Sequence, residues 1–157
     1  MATNERTLEA TSEQVWEVLA DGWLYPLWVV GASRMRDVDE HWPAVGAQLH
    51  HSVGTWPVLA DDITEVVECD PGSCLSVHAK ARPTGTASVT IRLEPVASGT
   101  RVTMEEEVVA GPGRLVPGPL RDLLLRWRNV ESLRRLAFIA ERRAAGAGPD
   151  AGTGPES

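Results

Sequence analysis

The residues of this sequence that are most able to do chemistry are polar side chains at positions where the surrounding element is otherwise apolar. Residues 47–55 alternate with period two, and Leu49 and Val53 define the face that is predicted to point inward. His51 lies on that face and His50 on the opposite one. An imidazole on an apolar face can accept, donate or transfer a proton near neutral pH, although it can equally be a core group with its hydrogen bonds satisfied. His51 is therefore a candidate ligand-binding residue.

A carboxylate occupies an equivalent position on the last predicted strand, residues 100–110. Val102 and Met104 share a face with Glu106, so this acid is predicted to point inward. The strand predicted at residues 58–69 is mixed on both faces, and Asp61 is a weaker inward candidate because the register there is not fixed. An isolated charge away from water is unfavourable, so Glu106 requires a partner.

The sequence leaves the partner of Glu106 open. The candidates are Arg128 or Asn129 on the C-terminal helix, Arg82 at a strand end, the polar group of a ligand, or water at a cavity mouth. Asn129 flanks the apolar stripe of that helix and is a third polar candidate for a cavity. His51 and Glu106 lie on strands separated by three others, so at ~4.8 Å per strand their backbones are about 19 Å apart along the sheet. They can contact one ligand from opposite walls, but a direct catalytic pair is not expected.

Other catalytic and metal-binding patterns are not found in the sequence. His50 and His51 are adjacent on a strand and point to opposite faces, so no metal site is predicted. Cys69 and Cys74 flank a turn; a cross-strand disulfide is geometrically conceivable, but free thiols are expected in a cytosolic chain. With no glycine-rich phosphate loop and no nucleophile elbow, we expect neither a cofactor nor covalent catalysis.

Composition limits the classes of protein to which this chain can belong. Its 157 residues are 43% hydrophobic and 24% charged, which predicts one globular domain rather than a disordered chain. The net charge of −7 disfavours binding of nucleic acid. No apolar run approaches the roughly 20 residues of a membrane span, and the N-terminus lacks an apolar signal segment, so a cytoplasmic location is expected. Residues 1–143 are predicted to form the domain and residues 144–157, rich in Gly, Ala and Pro, a disordered tail.

Periodicity indicates the elements that position these side chains. A short strand at residues 3–10 precedes a helix capped at Thr11 or Ser12, and a second short helix is predicted within residues 23–30. The period then changes to two, and the turn signals separate six strands. These strands are predicted at residues 32–40, 47–55, 58–69, 74–82, 86–94 and 100–110.

A long amphipathic helix is predicted at residues 120–143. Its apolar stripe, expected to be core, comprises Leu120, Leu123, Leu124, Trp127, Val130, Leu133, Leu136, Ala137 and Ala140. Trp16 on the first helix and Trp127 are both expected to be core tryptophans. Arginines repeat every seven residues elsewhere on the last helix and are expected to be solvated, with a partner surface as the alternative. These are Arg121, Arg128, Arg135 and Arg142.

The order of strand, two helices, six-strand meander and long C-terminal helix resembles the START-like SRPBCC superfamily, in its polyketide cyclase/dehydrase and lipid-transport branch. The resemblance covers roughly residues 4–143 and is carried by residues 11–16 after the first strand, by Gly46 and Trp56-Pro57, and by residues 99–103 that open the last strand. It implies an α+β helix-grip fold, in which a curved seven-stranded antiparallel sheet wraps around the C-terminal helix and leaves a cavity for a hydrophobic small molecule.

The resemblance also places the segment containing Trp23, Tyr25 and Trp28 at the rim of that cavity. The candidate ligand-binding residues are His51, Glu106, Asn129, Trp28, Trp56 and Met104. The leading hypothesis is a protein that binds a lipid-like or polycyclic small molecule, with apolar walls supplying affinity. One alternative is a polyketide cyclase or aromatase in which His51 or Glu106 transfers protons. Another is a partner-binding module that uses the Trp-rich rim or the arginine row. A homodimer is left open.

Overall fold

The computed structural model describes residues 1–55, 58–81 and 85–146. Within them the chain forms seven strands and three α-helices, and 3-10 turns at Gly22–Leu24 and Pro112–Leu115 precede the second and third helices. The elements in chain order are β1 Ala2–Leu8, α1 Ser12–Ala20, α2 Tyr25–Trp28, β2 Ala32–Val38, β3 Gln48–Thr55, β4 Val58–Asp70, β5 Cys74–Ala81, β6 Gly85–Val96, β7 Gly99–Ala110 and α3 Gly118–Gly146.

The strands form one curved antiparallel sheet in the order β1-β7-β6-β5-β4-β3-β2. The predicted meander is confirmed, because each strand from β2 to β7 pairs with its neighbour in sequence. The first strand closes the far edge by pairing with β7, where Ala2 lies opposite Glu106 and Leu8 opposite Thr100. Helix α3 packs across β1 and against α1 and α2, so the predicted helix-grip fold is confirmed.

The sequence around the first helix explains how its end is fixed to the sheet. Thr11 caps α1 in a capping box, accepting from the Gln14 backbone N–H while the Gln14 side chain accepts from the Thr11 N–H. The buried Thr100 hydroxyl donates to the Ala10 carbonyl at 2.8 Å. Gly99 has φ +147°, and a Cβ there would overlap the carbonyl oxygen of Leu8, so only glycine fits this junction.

The burial of α3 differs from the prediction. Leu133, Leu136, Ala137 and Ala140 are buried as expected, but the first part of the predicted stripe faces solvent. The exposed residues are Leu120, Leu123, Leu124, Trp127 and Val130. Each step of three residues falls about 60° short of a full turn, so a stripe read in such steps winds from one face of the helix to the other. The prediction merged two apolar faces into one, and Trp127 is not a core residue.

Other predictions concern Trp16, the end of the last helix and three places outside the described residues. Trp16 is partly buried against the core, in line with its expected role. Helix α3 continues to Gly146, three residues beyond its predicted end at Arg143. Trp56, Arg82 and residues 147–157 lie outside the described residues. Over the described part of the chain, no helix is both long and apolar enough to cross a membrane.

Candidate functional site

A cavity lies between the concave face of the sheet, α2 and the core face of α3. Its volume is about 100 Å³. The walls are mainly apolar and include Trp28 on α2 and Met104 on β7, which are 4% and 3% exposed. Three polar residues predicted from the sequence, His51, Glu106 and Asn129, line the same cavity. The structure thus brings together five of the six candidate residues, and the sixth, Trp56, is outside the described residues.

His51 enters the cavity from β3 and is held by a buried hydrogen-bond chain. Its Nε2 lies 2.9 Å from the hydroxyl of Thr64 on β4, and that hydroxyl lies 3.2 Å from the phenol oxygen of Tyr25 on α2. The Tyr25 ring packs over the imidazole with 5.4 Å between ring centroids, and edge-to-face against Trp28 at 5.5 Å. These contacts fix the orientation of the imidazole. The other ring nitrogen, Nδ1, is buried and has no hydrogen-bond partner among the described residues.

The register of β4 explains why Thr64 was missed and why Asp61 was a wrong candidate. His51 lies opposite Asp62, and Asp62 and Thr64 are 2% and 0% exposed, whereas Asp61 is exposed and pairs with Arg36. The sequence alternation could not distinguish the two faces because both carry acids and aliphatic side chains. The buried Asp62 is therefore the carboxylate beside His51.

Burial sets the protonation states of this cluster. Desolvation lowers the pKa of His51, an effect that the Asp62 charge opposes and that Arg36 and His50 reinforce. Burial likewise raises the pKa of Tyr25 above its ordinary value, although the Thr64 hydrogen bond and Arg128 act in the other direction. His51 is thus neutral near pH 7, with one ring nitrogen as a donor and the other as an acceptor.

The opposite wall of the cavity carries an ion pair. Glu106 on β7 is 1% exposed, and its Oε1 pairs with an Nη of Arg128 on α3. The Arg128 side chain is 39% exposed, but its guanidinium pairs with a buried carboxylate. The expectation that this arginine is solvated is therefore wrong for its guanidinium. Desolvation lowers the pKa of Arg128, but an arginine remains charged at physiological pH. The sequence left several partners open for Glu106, and in the structure its partner is Arg128.

Asn129 lies on the core face of α3 beside that ion pair. It is 2% exposed, and its Nδ2 has no hydrogen-bond partner among the described residues. One turn further along, the Ser132 hydroxyl accepts from the Val30 backbone N–H at 3.2 Å and joins the end of α2 to α3. Because buried polar groups in native proteins are almost always hydrogen-bonded, the Asn129 amide is an informative exception.

His51 and Asn129 thus both line a mainly apolar cavity, and each carries one buried polar atom, Nδ1 and Nδ2 respectively, without a hydrogen-bond partner among the described residues. The sequence analysis placed Tyr25 at the rim of the cavity but did not predict its hydrogen bond with Thr64. It did not identify Thr64 as a site residue. Tyr25 is the single tyrosine of the chain, and its position within the Trp-rich segment was the available signal. In the described part of the chain, no three His, Cys, Asp or Glu side chains are grouped to hold a metal ion.

Comparison with families of known proteins gives a match over nearly the whole chain. A family model described as polyketide cyclase/dehydrase and lipid transport matches residues 2–141. No curated protein matches the chain significantly.

Solved structures share the fold at low sequence identity. Protein NE0264 from Nitrosomonas europaea is 19% identical and superposes with a TM-score of 0.71 over 91% of this chain and 95% of its own. The di-domain ARO/CYC protein StfQ from the steffimycin biosynthetic pathway is 15% identical, with a TM-score of 0.70 over 91% of this chain and 51% of that chain. DynU16, a protein of the dynemicin biosynthetic locus, is 21% identical, with a TM-score of 0.65 over 91% of this chain and 48% of that chain. At these identities the likenesses establish the fold.

Proposed function

The chain belongs to the polyketide cyclase/dehydrase and lipid transport family, and from this premise we propose that it binds a hydrophobic small molecule in the cavity between the sheet and α3. The apolar walls supply affinity, because burial of apolar surface is the dominant favourable term in such sites. His51 and Asn129 orient the polar groups of the ligand. Glu106 shapes the opposite wall through its ion pair with Arg128.

The observation that carries this proposal is the pair of unpartnered polar atoms in an apolar cavity. His51 Nδ1 and Asn129 Nδ2 are both buried and lack hydrogen-bond partners among the described residues. Leaving such an atom unpaired destabilises the folded protein by about 1–3 kcal/mol. A ligand that carries one or two polar groups on an apolar body removes that penalty and explains why the residues are polar.

The size of the cavity indicates what part of a ligand it holds. At about 100 Å³ it is smaller than the pockets of roughly 300–1,000 Å³ that enclose drug-sized molecules. A single ring or a short acyl segment fits this volume, and a polycyclic ligand requires the cavity to widen. The description of the family as polyketide cyclase/dehydrase supports a ring-bearing ligand.

Native mass spectrometry of the purified protein tests the proposal, followed by denaturing extraction of any released molecule. The expected result is a mass addition of one apolar molecule per chain that is retained by wild type and weakened in Asn129→Leu. Bare polypeptide mass in both proteins under gentle conditions, together with no response to an aromatic probe such as p-cresol, contradicts the proposal.

Proton transfer in the same cavity is a second candidate function, and the His51–Thr64–Tyr25 chain is the observation that favours it. A neutral, oriented imidazole can take a proton from a carbon next to a carbonyl and return one from the Nδ1 side. Deuterium exchange into the methyl group of acetophenone measures this step. Faster exchange with wild type than with His51→Gln supports catalysis, and equal rates for both proteins exclude it for this substrate.

A further inference from the structure

The outer face of α3 is apolar and unpartnered along its first half. Leu120, Leu123, Leu124, Trp127 and Val130, which we call the outer face, recur at helical spacing and are 50%, 64%, 56%, 68% and 53% exposed. The opposite side of the same helix already supplies the core through Leu133 and Leu136. Aliphatic and Trp side chains gathered on one exposed stripe mark an interaction surface rather than scattered surface apolarity.

Positive charge surrounds this outer face. Residues 114–135 contain six arginines and two acids, a balance of +4 in a chain whose total charge is −7. Of the two acids, Asp122 pairs with the N-terminal ammonium and Glu131 pairs with Arg134 and Arg135, while Arg128 pairs with Glu106. Arg114, Arg121 and Arg126 have no acidic partner among the described residues, and Arg121 donates to the Arg114 backbone carbonyl at 3.3 Å. Leu115, 85% exposed, lies next to Arg114 and extends the apolar area.

We propose that the outer face of α3 docks on an anionic lipid membrane surface. Trp and Leu side chains insert at the boundary between headgroups and acyl chains, while flanking arginines contact anionic headgroups. A second copy of this chain fits this face less well than a membrane does. A two-fold axis would pack the outer face against the same face of the other copy and bring their arginine borders together. An anionic lipid surface matches both the apolar stripe and its basic border.

The docking surface adjoins the cavity through one residue. Arg128 follows Trp127 directly, and its guanidinium reaches inward to Glu106 in the cavity wall. Docking therefore brings the edge of the cavity to the lipid boundary. The inference goes beyond the proposed binding function and does not depend on it, since vesicle binding is measurable whether or not the cavity is occupied.

Co-sedimentation with vesicles tests the inference, using phosphatidylcholine alone and phosphatidylcholine with about 30% phosphatidylglycerol. Wild type is expected to bind the anionic vesicles and to release as salt is raised, because screening weakens the arginine contribution. The double variant Leu123→Ser with Leu124→Ser is expected to abolish binding. Arg121→Gln with Arg126→Gln is expected to weaken it about 30-fold. A blue shift of tryptophan emission on vesicle binding is expected to shrink in Trp127→Phe.

Val45→Ser and Arg34→Gln, which alter an equally exposed apolar residue and an exposed arginine elsewhere, are the matched controls and should bind as wild type does. Circular dichroism verifies that each variant is folded. The inference is overturned if wild type does not bind anionic vesicles. It is also overturned if the variant Arg121→Gln with Arg126→Gln binds them as tightly as wild type does. A stable dimer in analytical ultracentrifugation that Leu123→Ser with Leu124→Ser dissociates also overturns it and assigns the face to a second copy.

Discussion

The imidazole of His51 and the hydroxyl of Thr64 meet at 2.9 Å, although the two residues are diagonal rather than opposite across the β3–β4 pair. His51 lies opposite Asp62, and Thr64 lies opposite Leu49. A ring long enough to span the diagonal therefore joins the two strands through a buried contact. Thr64 in turn contacts Tyr25 on α2, so one hydroxyl connects the sheet with the helix that borders the cavity.

Removing that hydroxyl should destabilise the protein. Thr64→Val keeps the side-chain shape but leaves His51 Nε2 and the Tyr25 phenol without their shared partner. Because unpaired buried polar atoms are unfavourable, the free energy of unfolding should fall by about 2 kcal/mol. Urea denaturation measures it, and Thr103→Val, whose hydroxyl makes an exposed hydrogen bond on β7, is the control with little expected effect. Equal stability of Thr64→Val and wild type would show that the chain of hydrogen bonds is not formed in solution.

The buried imidazole also predicts how stability depends on pH. Burial lowers the pKa of His51 below its unfolded value of 6.5, so the unfolded state binds this proton more readily than the native state. The free energy of unfolding should therefore decrease as the pH falls through about 6.5, and the loss should be smaller in His51→Gln. Denaturation at several pH values tests this, with His41→Gln, a change at an exposed histidine that does not line the cavity, as the control that should behave as wild type does. Parallel curves for wild type and His51→Gln would contradict the assignment.

Strand alternation was sufficient to predict one part of the site. Leu49 fixed the register of His51, and Val102 with Met104 fixed that of Glu106, because each strand has one clearly apolar face. Strand β4 offered no such contrast, so Asp62 and Thr64 could not be separated from Asp61. The sequence pattern of α3 could not show which of its residues are buried. Apolar residues cover two faces of this helix, and only packing against the sheet decides which face is core.

The ion pair between Glu106 and Arg128 should contribute to stability through the buried carboxylate. Arg128→Met leaves Glu106 buried without a counter-charge, and we expect a loss of about 2 kcal/mol, below the value for fully buried pairs because water reaches the guanidinium. Adding Glu106→Gln should recover much of this loss. A double-mutant cycle measures the coupling, and Arg126→Met is the control on the same helix. Additive effects of the two substitutions would mean that the pair does not interact.

Asn129 should be a residue that favours binding at the expense of stability. Its Nδ2 has no partner among the described residues, so Asn129→Leu should raise the free energy of unfolding of the ligand-free protein by about 1 kcal/mol. Ser132→Ala, which removes the acceptor of the Val30 N–H, should lower it instead. Thermal denaturation compares the two variants. A large loss of stability in Asn129→Leu would show that the amide is hydrogen-bonded in the ligand-free protein.

The most direct test of the central claim is a comparison of p-cresol with toluene, which share one methyl-substituted ring and differ in one hydroxyl. Calorimetric titration of wild type should show that both bind and that p-cresol binds up to about 10-fold more tightly, the contribution of one hydrogen bond to a buried polar atom. The preference for p-cresol should disappear in at least one of the two variants His51→Leu and Asn129→Leu, namely the one that removes the partner of the hydroxyl. It should persist in His50→Leu. No binding of either compound, or a preference that neither His51→Leu nor Asn129→Leu alters, would contradict a ligand site at His51 and Asn129.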